Sequence, residues 1–262
     1  MPSDLLYPDK IKANLKTRRI GRKILVFSST SSTNDIAAEY AKNDANDGLV
    51  IFAEEQSAGR GRAGAKWHSN RAESVLCSIV LADCNMGAEL LCLTCAVAAA
   101  EAIGKAGSTQ AKIKWPNDII LNGKKTAGIL LESKIKDKSG NTYIIGIGIN
   151  CHQTPDSFPP ELRHPATSID IESKTVCDRI LLAKRLLTVL DHWLEIAAQA
   201  SKKVIDRWRK LSVQLGHRVA IVFNGTKFVG NCIGIDPEKG LIVQLDTGGV
   251  RMFDAGHTSI LK

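Results

Sequence analysis

Short apolar runs alternate with longer stretches of helical period through most of this chain. Leu49-Val50-Ile51-Phe52-Ala53 and Val75-Leu76-Cys77-Ser78-Ile79-Val80-Leu81 are short and almost wholly apolar, which predicts buried strands. Ahead of the first, Ser31-Ser32-Thr33-Asn34 has the composition of a helix cap, and Ile36, Ala37, Tyr40 and Ala41 follow at helical spacing. From Ala88 to Ala106 the residues are apolar on nearly every side, so the helix they predict must be buried. Ala111 to Leu121 and Lys125 to Ser133 read as two strand segments joined by Asn122-Gly123, a dipeptide suited to a two-residue hairpin turn. Ser139-Gly140-Asn141 turns the chain again, into a strand that ends Gly146-Ile147-Gly148-Ile149-Asn150.

Residues 151–168 carry four prolines and no period, which predicts a surface loop. Val176, Ile180, Ala183, Leu187, Leu190, Leu194 and Ala197 then form one stripe of a long amphipathic helix, and a further helix is expected from Lys203 to Lys210. After Gly216 the texture changes to short alternating runs broken by Asn224-Gly225, Pro237, Lys239-Gly240 and Gly248-Gly249. That style predicts a small β-barrel. The expected division is a larger domain over residues 1–215 and a barrel over 216–262.

Composition narrows the class. With 44% hydrophobic and 24% charged residues, usage is that of an ordinary globular protein. No apolar run approaches the length of a membrane span, and the first residues lack the halves of a secretory signal. The seven cysteines are an odd number scattered through apolar segments, so reduced thiols in a cytoplasmic protein are expected. A net charge of +8 raises the question of nucleic acid. The basic residues are dispersed, however, and aromatics are only 5%, so no aromatic-interleaved basic motif accompanies them. A protein that handles small anions has the same balance.

Three stretches carry candidate chemistry. Gly59-Arg60-Gly61-Arg62-Ala63-Gly64, with Lys66 and Trp67 after it, places two permanent cations on a backbone that a ligand can approach closely. The same glycines satisfy a dinucleotide-binding fingerprint, but that fold needs a helix to open at the loop. Only about ten residues separate the flanking strands, too few for a crossover helix. Lys114-Trp115-Pro116-Asn117-Asp118 interrupts a strand at a proline, which costs ladder hydrogen bonds, and leaves a carboxylate beside the following hairpin where magnesium could bind. Lys125 lies just past that turn, with Gly128 opening space beside it. In Gly146-x-Gly148-x-Asn150 the isoleucines face the core, and the glycines leave the other face bare for a flat ligand. Read singly, each stretch also fits a bland account: a tight turn, a bulge, solvated lysines. Cys92-x-x-Cys95 has metal spacing but lies in an apolar helix without a second pair, so buried thiols are expected.

Taken in order, Ser32-Thr33-Asn34, Gln56 through Trp67, Lys114 through Asp118, Lys125 through Leu130 and the glycine strand resemble the biotin protein ligases, from about residue 20 to the end. The resemblance implies an α+β fold: a mixed sheet with helices, similar to the core of class II aminoacyl-tRNA synthetases, followed by an SH3-like barrel. It implies ATP and biotin as substrates, Mg2+, and a biotin carboxyl carrier domain whose lysine is the acceptor. Arg62 and Lys125 are then the catalytic candidates. Ser32, Thr33, Asn34, Gln56, Gly59, Arg60, Gly61, Arg62, Lys125, Gly128, Gly146 and Gly148 correspond to the biotin-binding set. Arg60, Arg62, Trp67, Lys114, Asn117, Lys125 and Asn150 correspond to the ATP and adenylate set, and Asp118 to the metal ligand. Some family members carry an N-terminal winged helix-turn-helix that represses biotin genes. The residues ahead of the matching core are too few for one, so no DNA-binding role is expected, and a homodimer is left open. Ala63 and Ala65 stand where some relatives carry further basic residues. Lipoate attachment, the same chemistry on a related core, is the nearest rival; a basic nucleic-acid-binding module is the non-enzyme one.

Overall fold

The computed structural model describes residues 4–107, 110–135, 141–160, 162 and 165–261; the expected turn at Ser139-Gly140 lies outside them. Helix α1 (Pro8–Lys12) precedes β1 (Ile24–Phe27), α2 (Thr33–Tyr40), β2 (Val50–Ala53), β3 (Ser74–Cys84) and α3 (Ala88–Gly107). Then come β4 (Lys112–Lys114), β5 (Asp118–Leu121), β6 (Lys124–Ile135) and β7 (Asn141–Asn150). Helices α4 (Ile169–Ser173), α5 (Arg179–Gln199) and α6 (Ser201–Leu211) lead to β8 (Arg218–Phe223), β9 (Thr226–Asp236), β10 (Gly240–Leu245), β11 (Val250–Phe253) and β12 (Thr258–Ile260).

The first seven strands form one sheet in the order β1-β2-β3-β7-β6-β5-β4. Only β1 and β2 run parallel, joined through α2; every other pair is antiparallel, so the sheet is mixed as expected. The antiparallel pairing of β2 with β3, from Val50 opposite Ile79 to Ala53 opposite Leu76, disposes of the dinucleotide fold. The glycine-arginine loop connects two antiparallel neighbours and opens no crossover helix.

Alternation along the central strands assigns the two faces of the sheet. Ile145, Ile147 and Ile149 of β7 join the main apolar cluster with Leu91, Leu93 and Ile103 of α3 and Leu182, Leu186 and Leu190 of α5. Each such side chain, fully buried, contributes roughly 1.5–3 kcal/mol. Ile144 points the other way, into a small cluster with Ala37, Ile51 and Val80 beneath α2. Gly146 and Gly148 share that second face, which is therefore the thinly covered one.

Several expectations need correction. Helix α3 is long and apolar enough to cross a membrane, contrary to the reading that no run approaches that length, but 72% of its most apolar window is buried inside this protein. Val176 is not on the α5 stripe: it is 74% exposed, and the helix begins at Arg179, where the Asp178 side chain caps Leu181 N. Trp115-Pro116-Asn117 does not merely kink a strand but reverses it, since β4 and β5 pair antiparallel with Lys114 opposite Asp118. Asn122 and Gly123, at φ 46° and 79°, make the expected hairpin turn.

The last five strands form an antiparallel sheet in the order β11-β10-β9-β8-β12. Its inward residues Val219, Ile221, Cys232, Leu241 and Phe253 are continuous with the main apolar cluster. The chain enters this sheet past the strand reversal: Trp115 N donates to Gln214 Oε1, and Gln214 Nε2 donates to Trp115 O, each at 2.9 Å.

Candidate active site

Register builds a flat floor on the α2 face. Gly128 of β6 lies opposite Gly148 of β7, and Gly146 lies opposite Leu130 on one side and Ser78 on the other. The floor is not bare. A Cβ on Gly148 would stand 2.6 Å from the Trp67 indole, one on Gly128 3.0 Å from it, and one on Gly146 2.4 Å from Asn34 Oδ1. Trp67 itself is the flat group lying on the glycines, a correction to the expectation of an open plate. It is carried there by the loop, which closes on itself: Trp67 N donates to Gly59 O at 2.9 Å and Gly61 N to Ala65 O at 2.7 Å. Ala63, at φ 51°, occupies the left-handed region at the tip, a conformation costing an L-residue roughly 1–2 kcal/mol.

The cavity above the floor measures ≈ 170 Å³ and is lined by Ser32, Thr33, Asn34, Gln56, Arg60, Gly61, Arg62, Trp67, Asn117, Asp118, Lys125, Gly128, Gly146 and Gly148. These residues come from five separate stretches of sequence. Three candidates lie outside it. Gly59 closes the loop, and Lys114 sits on β4 opposite Asp118. Asn150 lines an adjoining cavity of ≈ 440 Å³ with Trp67, Lys125, Phe158 and Pro159.

One end of the cavity is lined mainly by uncharged hydrogen-bonding side chains. Thr33 N donates to Gln56 Oε1 at 2.7 Å, and Thr33 Oγ1 lies 2.9 Å from the same atom. Ser78 Oγ stands 2.7 Å from Thr33 Oγ1 and 2.5 Å from Asn34 Oδ1. Asn34 Nδ2 donates to Glu132 Oε2 at 2.8 Å. Ser32 holds the N-cap position of α2 and is buried, yet its side chain makes no capping hydrogen bond. Sequence reasoning missed Ser78 and Glu132. The available signal for Ser78 was a polar residue inside an apolar run; Glu132, followed by Ser133 and Lys134, gave none.

The other end is charged. Lys125 Nζ pairs with Asp118 Oδ1 at 2.6 Å and lies 5.7 Å from the Trp67 ring centroid. A β-bulge aims it: Ile119 pairs with Ala127 but Ile120 with Lys125, leaving Thr126 unopposed. On the outer side the proline-rich loop grips the same residue, Lys125 N donating to Pro165 O and Thr167 N to Lys125 O, both at 2.8 Å. Arg62 donates to Ala255 O, and lies 3.3 Å from Thr258 O and 3.4 Å from Asn117 Oδ1. The second sheet therefore touches the loop directly. Arg60 pairs with Asp35 at 2.7 Å and Glu132 at 3.4 Å; the Asp35 hydrogen bond, chiefly, holds its pKa above the ordinary arginine value.

Elsewhere, Cys92 and Cys95 are buried in α3, as expected. The Cys92 thiol donates to Pro116 O at 3.3 Å, and burial pushes its pKa up to about 12.

Residues 26–150 match the Biotin/lipoate A/B protein ligase family. The bifunctional ligase/repressor BirA of Bacillus subtilis is 34% identical over 254 residues, 95% of this chain and 78% of that protein. The biotin--[acetyl-CoA-carboxylase] ligase of Mycobacterium tuberculosis is 29% identical, with 94% and 93% covered. Among solved structures, the biotin protein ligase from Aquifex aeolicus in complex with biotin and ATP superposes with a TM-score of 0.78 at 24% identity, over 92% of this chain and 99% of that one.

Proposed function

The chain belongs to the biotin/lipoate A/B protein ligase family, and from its likeness to the biotin ligases of that family we propose that it activates biotin with ATP and passes the biotinyl group to a lysine of a carboxyl carrier domain. One observation carries the reading: a single cavity joins a hydrogen-bonding end at Thr33, Asn34 and Gln56, backed by the buried Ser78, to a cationic end at Lys125 and Arg62. Biotin has the matching polarity, a polar ring at one end of an apolar chain and a carboxylate at the other.

In the first step a carboxylate oxygen attacks the α-phosphorus of ATP, and the bond to pyrophosphate breaks. In the second, the acceptor amine attacks the acyl carbon of biotinyl-5′-AMP, forming an amide and releasing AMP. Both steps gather negative charge, so fixed cations are the natural catalysts. Lys125 is the compact cation we assign to the bridge between the carboxylate and α-phosphate oxygens. Arg62 and the loop amides assist, with Arg60 anchoring the loop through Asp35. Asn117, Lys114 and Asn150 flank the nucleotide side, and Trp67 offers a stacking surface there. Asp118 suits magnesium, which takes one or two carboxylates and leaves its remaining positions to phosphate and water. Bound there, the ion would neutralise phosphate charge.

We assign residues 1–215 to catalysis and 216–262 to a lid, a role supported by the reach of Arg62 to Ala255 and Thr258. The seven free, buried cysteines support a cytoplasmic setting. The homodimer is a separate question that sedimentation decides. The test of function is ATP–pyrophosphate exchange by purified protein with biotin, lipoate or octanoate. Exchange driven by biotin alone is expected; exchange driven equally by octanoate would transfer the assignment to lipoate-type chemistry.

A further inference from the structure

The network at the polar end of the cavity, where Thr33, Asn34 and Gln56 form the lining and Ser78 is buried behind them, has more close oxygen contacts than it has protons. Glu132 is the cause. A carboxylate only accepts, whereas an amide presents both a donor and an acceptor. With Oε2 of Glu132 at 2.8 Å, the Asn34 nitrogen must face it, and the Asn34 oxygen must turn toward Ser78 in the space that Gly146 leaves free. Gln56 is oriented likewise, because the Thr33 N–H requires its oxygen. Three oxygen–oxygen contacts remain, Ser78 to Asn34 at 2.5 Å, Ser78 to Thr33 at 2.7 Å and Thr33 to Gln56 at 2.9 Å. The hydroxyls of Ser78 and Thr33 supply two protons for these three contacts. The wall is one donor short.

Were the Asn34 amide reversed, its N–H would serve Ser78, and the chain would close on itself with every contact satisfied. Glu132 forbids this, since the Asn34 oxygen would then meet a carboxylate. We propose that Glu132 is a specificity-determining residue: by holding the Asn34 N–H it keeps the Ser78-Thr33-Gln56 wall short of a donor, so that the pocket favours a ligand bringing its own N–H, such as a cyclic urea. Lipoate and octanoate carry no such group. The inference rests on the biotin reading above and names the residue that enforces it. Arg60, 3.4 Å from the second oxygen of Glu132, gives the carboxylate a cationic neighbour.

Glu132→Gln tests this, because a glutamine amide can donate to a reversed Asn34 and close the chain internally. Biotin and the same acid without its ureido ring (tetrahydrothiophene-2-pentanoic acid) are compared, by calorimetry and by competition against biotin. The expected result is a biotin Kd weakened on the order of 10-fold, with the ring-less acid moved less than 3-fold and kcat for exchange retained. Glu132→Ala, which frees the Asn34 amide to reverse and serve Ser78, is expected to give the same split and stands in if the first variant fails to fold. Equal weakening of both acids or an unchanged biotin Kd would each overturn the proposal. Wild-type protein without biotin-dependent exchange would instead remove the functional reading beneath it.

Discussion

At the scale of residues, charge and shape do separate work. Lys125 is held by Asp118, by a bulge and by a gripping loop, so its ammonium is placed in advance of substrate. Lys125→Ala should lower biotin-dependent exchange by about 100-fold or more, the scale set by loss of a preorganised charge contact. Asp118, left without its cation, should cost the fold no more than roughly 1–3 kcal/mol. Near-normal exchange in the folded variant would take Lys125 out of the chemistry. Gly148 works by absence. An alanine Cβ there falls 2.6 Å from an indole whose backbone is tied to Gly59, so the ring must leave the floor. Gly148→Ala is expected to raise KM for ATP or biotin at least 10-fold while the melting temperature moves little, because this face lies outside the main apolar cluster. An unchanged KM would show that the ring's seat is irrelevant. Ser32, Thr33, Gln56, Arg62 and Lys125 were legible from motif alone, whereas Ser78 and Glu132 were not. A single polar residue inside an apolar strand does not say which face it uses until its neighbours are known.

At the scale of elements, the glycine-arginine loop is a clasp between the two sheets. Arg62 reaches the carbonyls of Ala255 and Thr258, and Glu89 accepts a hydrogen bond from Ala255 N. Removing one charge-assisted contact is worth on the order of 1.5–3 kcal/mol. Arg62→Gly should therefore still make adenylate but release it roughly 10- to 150-fold faster, so that exposed lysines of bystander proteins become biotinylated. A chase of preformed adenylate reads the escape rate, and an unchanged rate would show that the loop is not a clasp. The loop's identity was plain in the sequence. Its anchorage was not, because the partners are backbone carbonyls nearly two hundred residues away, and carbonyls leave no trace in residue type.

The whole molecule shows its construction in its response to acid. Burial alone would raise the Asp4 carboxyl, but the His152 hydrogen bond and the Arg179 charge outweigh it and hold the pKa below the usual 3.8. Glu172, against its burial, is held below 4.5 by Thr167, Asn122 and Lys124, and Asp254 below 3.8 by His257. A carboxyl depressed on folding stabilises the protein above its unfolded pKa, and that stability is lost as pH falls through the folded value. Glu89 works in the other direction, since burial raises it. The midpoint of urea unfolding should accordingly fall steeply below about pH 4. Asp4→Asn should lower the midpoint at pH 7 and shallow the acid limb. An acid limb unchanged by Asp4→Asn would show that this N-terminal contact carries no stability.

What the chain determined by itself was local and periodic. Alternation, helical stripes and turn dipeptides specified the central strands, α2, the long helices and the β texture of the C-terminal sheet, though not α1, β1 or α4, and the motifs in order named the chemistry. These signals act over a few residues, where sterics and hydrogen-bond geometry leave little choice. The tertiary structure decided the rest. It paired Gly128 with Gly148 so that Trp67 could lie flat, made Trp115-Pro116 a reversal instead of a kink, and brought Glu132 beside Asn34. Those outcomes depend on register and on contacts distant in sequence, set only when whole faces bury together and each buried polar group must find a partner.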